Sequence, residues 1–235
     1  MQKKKKTNII LALIIIILLL LILWISINIF IKIDKNEQPE KKYNHECNCD
    51  LKIAKYDNFV YLGDSITDWY PLDEMYSEEI PIVNSGVAGY ETTDILKRMD
   101  KMVYQYNPTK VFILIGTNDL KYKDDSEEKV ADNIIKIIKK INKKRPNAKI
   151  YYQSIYPVNR NLKNHAAEER YNDEIKKVNS ILKDYCKKNN VTYIDMHKIL
   201  SDENGNLNEK YTTDGLHLST SGYIQVTLEL MSYMR

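Results

Sequence analysis

From Phe59 onward, short unbroken apolar runs alternate with longer stretches whose apolar residues recur at helical spacing. The runs lie at residues 59–63, 81–84, 111–116, 149–155 and 191–195, and they are rich in Val, Ile and Tyr. A strand with one wet face alternates apolar and polar residues, whereas an unbroken run marks a strand covered on both faces. Between the runs, residues 126–144 carry Val130, Ile134, Ile137, Ile138 and Ile141, and residues 167–189 carry Ile175, Val178, Ile181, Leu182 and Tyr185. Residues 91–106 and 220–233 are the other helical stretches. Ser126 is a candidate N-cap, with Lys129 where a full capping box has Glu or Gln. Strands that alternate with helices pair in parallel through crossovers that cover both sheet faces. The pattern therefore predicts an α/β domain over 57–235, a three-layer α/β/α sandwich around a five-stranded, mostly parallel sheet.

The 235 residues allow one such domain plus an appendage. Residues 1–8 form a basic tail with Lys3 to Lys6, and residues 9–31 are apolar except for Ser26 and Asn28. At ~1.5 Å per residue this run reaches roughly 34 Å, enough for a bilayer core of about 30 Å. A cleaved signal peptide has a shorter apolar region ending in small residues. This run is longer, and Ile29-Phe30-Ile31-Lys32-Ile33 offers no such site. The expectation is an uncleaved transmembrane helix at 9–31. Lysines also follow the span, at Lys32, Lys35, Lys41 and Lys42, but those before it are denser. The positive-inside rule then puts the tail in the cytoplasm and the domain outside the cell. Residues 32–56, polar and aperiodic with Pro39, read as a stalk.

The net charge of +3 is small and the lysines are scattered among acids, so nucleic acid is not an expected partner. Cys47, Cys49 and Cys186 are the cysteines. His45-Glu46-Cys47-Asn48-Cys49 lacks a second ligand pair at zinc spacing, so no metal is expected, and no cofactor motif is present. A disulfide outside the membrane would leave one thiol over, and the sequence does not choose the pair.

Three segments, two of them just after apolar runs, carry chemistry. Gly63-Asp64-Ser65-Ile66-Thr67 offers a serine, Gly116-Thr117-Asn118-Asp119 an amide, and Asp214-Gly215-Leu216-His217 a carboxylate three residues before an imidazole. Serine, histidine and aspartate are the parts of a nucleophilic triad, and an amide with backbone N–H groups can hold an oxyanion. Ligands of parallel sheets bind beyond the carboxyl ends of the strands, so Ser65, Gly89 and Asn118 should open on one edge, to which the loop with Asp214 and His217 can return. The competing role for Ser65 is a helix N-cap, for Asn118 a turn former and for Asp214 a turn residue before Gly215. His217 is singled out from His45, His165 and His197 by Asp214. His197, two residues after Asp195, is its nearest competitor. Asp64 and Asp119 read as loop braces. Tyr156-Pro157-Val158-Asn159 reads as a pocket wall or a plain loop. The 18 tyrosines read as composition bias before sugar-stacking platforms.

These segments resemble the blocks of the SGNH (GDSL-type) hydrolases, from about residue 57 to the C-terminus. Gly63-Asp64-Ser65 is similar to the first block and Asn84-Ser85-Gly86-Val87-Ala88-Gly89 to the second. Gly116-Thr117-Asn118-Asp119 is similar to the third, and Asp214 with His217 to the last. The resemblance implies Ser65 as nucleophile, His217 as base, Asp214 as its orienter, and Gly89 and Asn118 as oxyanion donors. One departure is Gly89-Tyr90-Glu91-Thr92, where many members have Gly-Asp-Thr. The implied activity is that of a serine esterase, which the span expected at 9–31 would anchor in a membrane. Its expected partner is an acylated small molecule or carbohydrate, O-acetyl groups on envelope polymers first, because a tethered enzyme serves polymers nearby. Lipid esters and thioesters, acyl transfer to a sugar hydroxyl, and a silent binding module on the same fold are the alternatives.

Overall fold

The computed structural model describes residues 58–76, 80–121, 126–162 and 165–234. The basic tail, the apolar span and the stalk expected at residues 1–56 lie outside them, as do Cys47 and Cys49. Among the described residues, no helix is long and apolar enough to cross a membrane.

Five strands form one sheet: β1 (Phe59–Gly63), β2 (Ile82–Gly86), β3 (Lys110–Leu114), β4 (Lys149–Gln153) and β5 (Thr192–Ile194). The order is β2-β1-β3-β4-β5, and every ladder is parallel. β1 and β3 are wholly buried, as their unbroken apolar runs require. The edge strands β2 and β5 are only partly covered. β2 also runs two residues further than the apolar run, so Ser85 and Gly86 belong to the ladder. β3 stops at Leu114, and the chain turns at Gly116, whose φ of 122° suits glycine.

Alternate residues of each central strand feed opposite cores. Val60, Leu62, Val111, Ile113, Ile150 and Tyr152 face one. Phe59, Tyr61, Phe112, Leu114 and Tyr151 face the other. On the second face the rings form a ladder across the sheet, with Phe112 stacked on Tyr61 at 4.8 Å and on Tyr151 at 4.7 Å. Such pairs add to the area that they bury.

The helices, in chain order, are α1 (Ser65–Asp68), α2 (Leu72–Met75), α3 (Thr92–Lys97), α4 (Met99–Met102), α5 (Glu127–Lys144), α6 (Asn172–Lys188), α7 (Met196–Leu200) and α8 (Thr220–Leu230). α5 buries Val130, Ile134, Ile137, Ile138 and Ile141 completely, each worth about 1.5–3 kcal/mol relative to exposure. It starts at Ser126, whose side chain accepts from the Lys129 N–H at 3.3 Å. α6 lays Ile175, Val178, Leu182 and Cys186 on the same core. Burial pushes the Cys186 thiol up to about 12, so it behaves as a core apolar group. α7 and α8 cover the opposite face.

Two expected helices are shorter than their patterns. The stretch 91–106 breaks at Arg98 into α3, α4 and a 3-10 turn at Tyr104–Tyr106. The stretch from 167 becomes helical only at Asn172, because Tyr171 is extended (φ −123°, ψ 128°).

Candidate active site

Gly63, Gly86 and Leu114 stand side by side at the carboxyl edge, paired in register across β2, β1 and β3. Ser65 follows the first of these after two residues, Gly89 the second after three, and Asn118 the third after four. The segments expected on one edge are therefore on one edge.

Ser65 opens α1, capped by Asp64, whose carboxylate accepts from the Ile66 N–H at 3.0 Å. Thus the cap is Asp64, and the Ser65 side chain is left for another partner. α1 packs hard on the end of β2: a Cβ at Gly86 would sit 2.2 Å from the Asp68 backbone nitrogen. Only glycine permits that approach. Asn84 adds a tie, its Nδ2 donating to the Thr67 carbonyl at 2.8 Å. The second block thus holds the first in place.

His217 reaches Ser65 across 152 positions of sequence, with Oγ and Nε2 3.0 Å apart. Its Nδ1 lies 2.7 Å from Asp214 Oδ2. Asp214 Oδ1 accepts from the N–H groups of Leu216 at 2.9 Å and His217 at 2.7 Å. Burial acts to raise the Asp214 pKa, but the hydrogen bonds from the His217 ring and these two amides outweigh it and hold the carboxyl below its ordinary value. An ionised carboxylate only accepts, so Nδ1 carries the ring proton and Nε2 is free to accept from the Ser65 hydroxyl. The arrangement can take a proton from a serine oxygen and keep the resulting imidazolium next to a negative charge.

The Asp214 loop is braced from the segment that follows β4. Asn159 is buried, its N–H donating to the Gly215 carbonyl at 2.8 Å and its Nδ2 to the Leu207 carbonyl at 2.9 Å. Tyr156 is buried with its hydroxyl on Gln153. The 156–159 segment thus braces this loop. Three of the described tyrosines serve the core, with Tyr61 and Tyr70 both bonded to Tyr76 at 3.1 Å.

Gly89 sits in the turn between β2 and α3 with φ 78°, a conformation that favours glycine. Asn118 donates from Nδ2 to the Tyr90 carbonyl at 3.0 Å, so the amide and the glycine loop are joined. Asp119 makes a second joint. It accepts from the Thr92 N–H at 3.1 Å and from the Thr92 hydroxyl, which in turn accepts from Asn133 at 3.0 Å. Asp119 therefore braces, as its position suggested.

His197 lies on α7, its backbone N–H held by Ser154 at 2.8 Å, and it has no contact with Ser65 or Asp214. Burial lowers its pKa, with Lys176 adding to the effect. Two residues at the site carried no sequence signal. Trp69 places its indole 4.1 Å from the His217 ring, centroid to centroid. Arg170 donates from Nη2 to Asn118 Oδ1 at 2.8 Å. Neither stands in a motif, and only the packing brings them in. Among the described residues, no group of three His, Cys, Asp or Glu side chains is placed to hold a metal.

A structure from Streptococcus pneumonia, provisionally described as a platelet activating factor, is 34% identical, with a TM-score of 0.72 over 77% of this chain and 85% of that one. The lipase/acylhydrolase from Enterococcus faecalis shares the fold at 23% identity, TM-score 0.64, over 76% of this chain and 97% of that one. Among curated proteins, the N-acylneuraminate cytidylyltransferase of Escherichia coli is 27% identical over 87% of this chain. That of Streptococcus agalactiae serotype III is 28% identical over 68% of this chain. The chain spans only 46% and 34% of those two proteins. The model of the GDSL-like lipase/acylhydrolase family matches residues 61–224, well over half of the sequence. With its glycine-framed serine at the carboxyl edge of a parallel sheet, the chain belongs to the GDSL-like lipase/acylhydrolase family.

Proposed function

We propose that this protein is a serine esterase that cleaves carboxylic esters, with O-acyl groups on carbohydrate as the substrate class. The observation that carries the reading is the relay Ser65 Oγ, His217 Nε2, His217 Nδ1, Asp214 Oδ2, with links of 3.0 and 2.7 Å. In this reading Ser65 Oγ attacks the ester carbonyl while His217 Nε2 takes its proton. The tetrahedral oxyanion is met by Asn118 Nδ2 and the backbone N–H groups of Gly89 and Ser65. The C–O bond to the alcohol breaks as His217 returns the proton to the leaving oxygen. Water, deprotonated by His217, then attacks the acyl-serine, and Ser65 leaves with the proton.

Two features favour a sugar ester. Trp69, 54% exposed beside His217, offers a flat apolar ring where the alcohol part must lie. The curated relatives are named for N-acylneuraminate, a sugar acid, although nucleotidyl transfer belongs to proteins about twice as long as this chain. We further propose, from the apolar run 9–31 and the lysines before it, that the domain is held at the outer face of a membrane by an uncleaved span.

The test is turnover of p-nitrophenyl acetate, p-nitrophenyl esters of longer acids and O-acetylated sugars by the full chain in mild detergent. Ser65→Ala serves as the control. Hydrolysis of acetate esters that vanishes in Ser65→Ala, with native circular dichroism, supports the reading. Turnover retained in that variant refutes Ser65 as nucleophile.

A further inference from the structure

We infer that Arg170 is a positioning residue for Asn118, fixing which face of the amide meets the reacting carbonyl and strengthening its donor. The inference rests on the oxyanion role proposed above for Asn118. Arg170 is 4% exposed, just before α6 in the extended turn that delays that helix. In its guanidinium, Nε donates to the Thr117 carbonyl at 2.9 Å, Nη1 to the Ala166 carbonyl at 2.8 Å, and Nη2 to Asn118 Oδ1 at 2.8 Å. It thus clasps the backbone on one side of Asn118 and the side chain of Asn118 itself.

A side-chain amide is nearly symmetric in shape, and without partners it can turn over and present its oxygen in place of its nitrogen. For an oxyanion donor that turn would be ruinous, since an oxygen would face a developing negative charge. Here both orientations are decided. Guanidinium nitrogens only donate, so they accept Oδ1 as a neighbour and reject Nδ2. The Tyr90 carbonyl only accepts, so it takes a hydrogen from Nδ2 at 3.0 Å and would repel Oδ1. Turning the amide over would convert two good contacts into two repulsive ones. One hydrogen of Nδ2 goes to Tyr90, and the second remains for the substrate oxygen.

The charge matters beyond geometry. Arginine stays protonated at any working pH, so the lock does not titrate. A cation on the amide oxygen draws density away from nitrogen and makes its N–H a better donor, and inside a protein such chains of hydrogen bonds reinforce one another. A buried cation is costly unless its donors are met, and three are. The guanidinium placed here serves the loop that carries Asn118, 52 positions earlier in the sequence.

A double-mutant cycle on p-nitrophenyl acetate, with the full chain in detergent, separates this from the parent reading. Asn118→Ala is measured first. A fall in kcat of about 100- to 1000-fold supports the oxyanion role, and an unchanged kcat sinks that role itself. Given the fall, Arg170→Met in the wild-type background should lower kcat by about 10- to 100-fold with KM nearly unchanged. In the Asn118→Ala background it should change kcat by less than about 3-fold, because the group it acts through is gone. Arg170→Lys should restore part of the loss, since it keeps a charged donor. Equal losses in both backgrounds, or a loss seen in KM alone, would overturn the inference and leave the Asn118 role standing. Should Arg170→Met not fold by circular dichroism, Arg170→Gln and Arg170→Lys run the same cycle with the same two criteria.

Discussion

The indole of Trp69 lies against the imidazole of His217 with ring centroids 4.1 Å apart and planes inclined by 37°. Trp69 is also 54% exposed, an unusual state for the largest apolar side chain in the domain. One face of the ring lies against the imidazole, and the exposed remainder forms a surface beside it. Stacking on such a ring contributes about 0.5–1.5 kcal/mol. Trp69→Ala should therefore raise KM for an O-acetylated sugar roughly 2- to 10-fold more than for p-nitrophenyl acetate. Steady-state kinetics on both esters read this directly. A matching change on the two would mean that the ring serves His217 alone.

Asp214 grips His217 twice, through Oδ2 to the ring and through Oδ1 to the backbone N–H. Asp214→Asn keeps the shape and can turn an N–H toward Nδ1, which stabilises the wrong tautomer. The expected loss in kcat is on the order of 10⁴-fold, the size found for this change in a serine protease triad. Circular dichroism should stay native. A fall under about 10-fold would argue that the carboxylate plays no part in orienting the ring.

Asp64 is fully buried, and its Oδ2 has no partner among the described residues. Burial raises its pKa to about 7, against pulls from the Ile66 N–H and Arg170. The sign follows from linkage. Between the free-chain value near 3.8 and about 7, the folded state holds the proton more tightly than the unfolded state. This contribution to stability is complete below the lower value and is lost as pH rises through the upper one. Asn is as good an N-cap as Asp, so Asp64→Asn should keep the bond to Ile66. Urea unfolding at pH 5 and pH 8 should show the wild type losing more stability than the variant over that interval, by a few kcal/mol. Parallel losses in the two proteins would exclude Asp64 as the cause.

The lysine cluster and the apolar run ahead of the domain make a cellular prediction. The chain should stay with membranes through a carbonate wash, and protease added to intact cells should remove the catalytic domain. Protection until lysis would reverse the orientation. Recovery of a soluble chain that begins after residue 31 would show a cleaved leader instead.

Much of this protein follows from local chemistry. Unbroken apolar runs favour strands between two covering layers, so the strands and the layered sheet were readable from Phe59 to Ile194, although the edge strands β2 and β5 are only partly covered. The amphipathic spacing of Val130 to Ile141 made α5 equally plain. Asp214 and His217 are three residues apart, close enough for one turn to join them, and the serine and amide segments end strands whose parallel pairing leaves one shared edge. What the sequence could not contain is any contact whose geometry depends on how layers settle. Arg170 is one more charged residue until α6 packs against the sheet and brings it to Asn118 across 52 positions. Trp69 is one more aromatic until α1 presses on Gly86 and swings it beside His217. The break at Arg98 within 91–106 and the late start of α6 at Asn172 are likewise products of packing. Periodicity reports which face of a segment is apolar, and it is silent on where its backbone must leave the helix to meet a neighbour. Sequence alone thus determined the layers and the pieces of the site. The tertiary structure decided which buried charge and which exposed ring complete it, because those choices depend on distances between segments far apart in the chain.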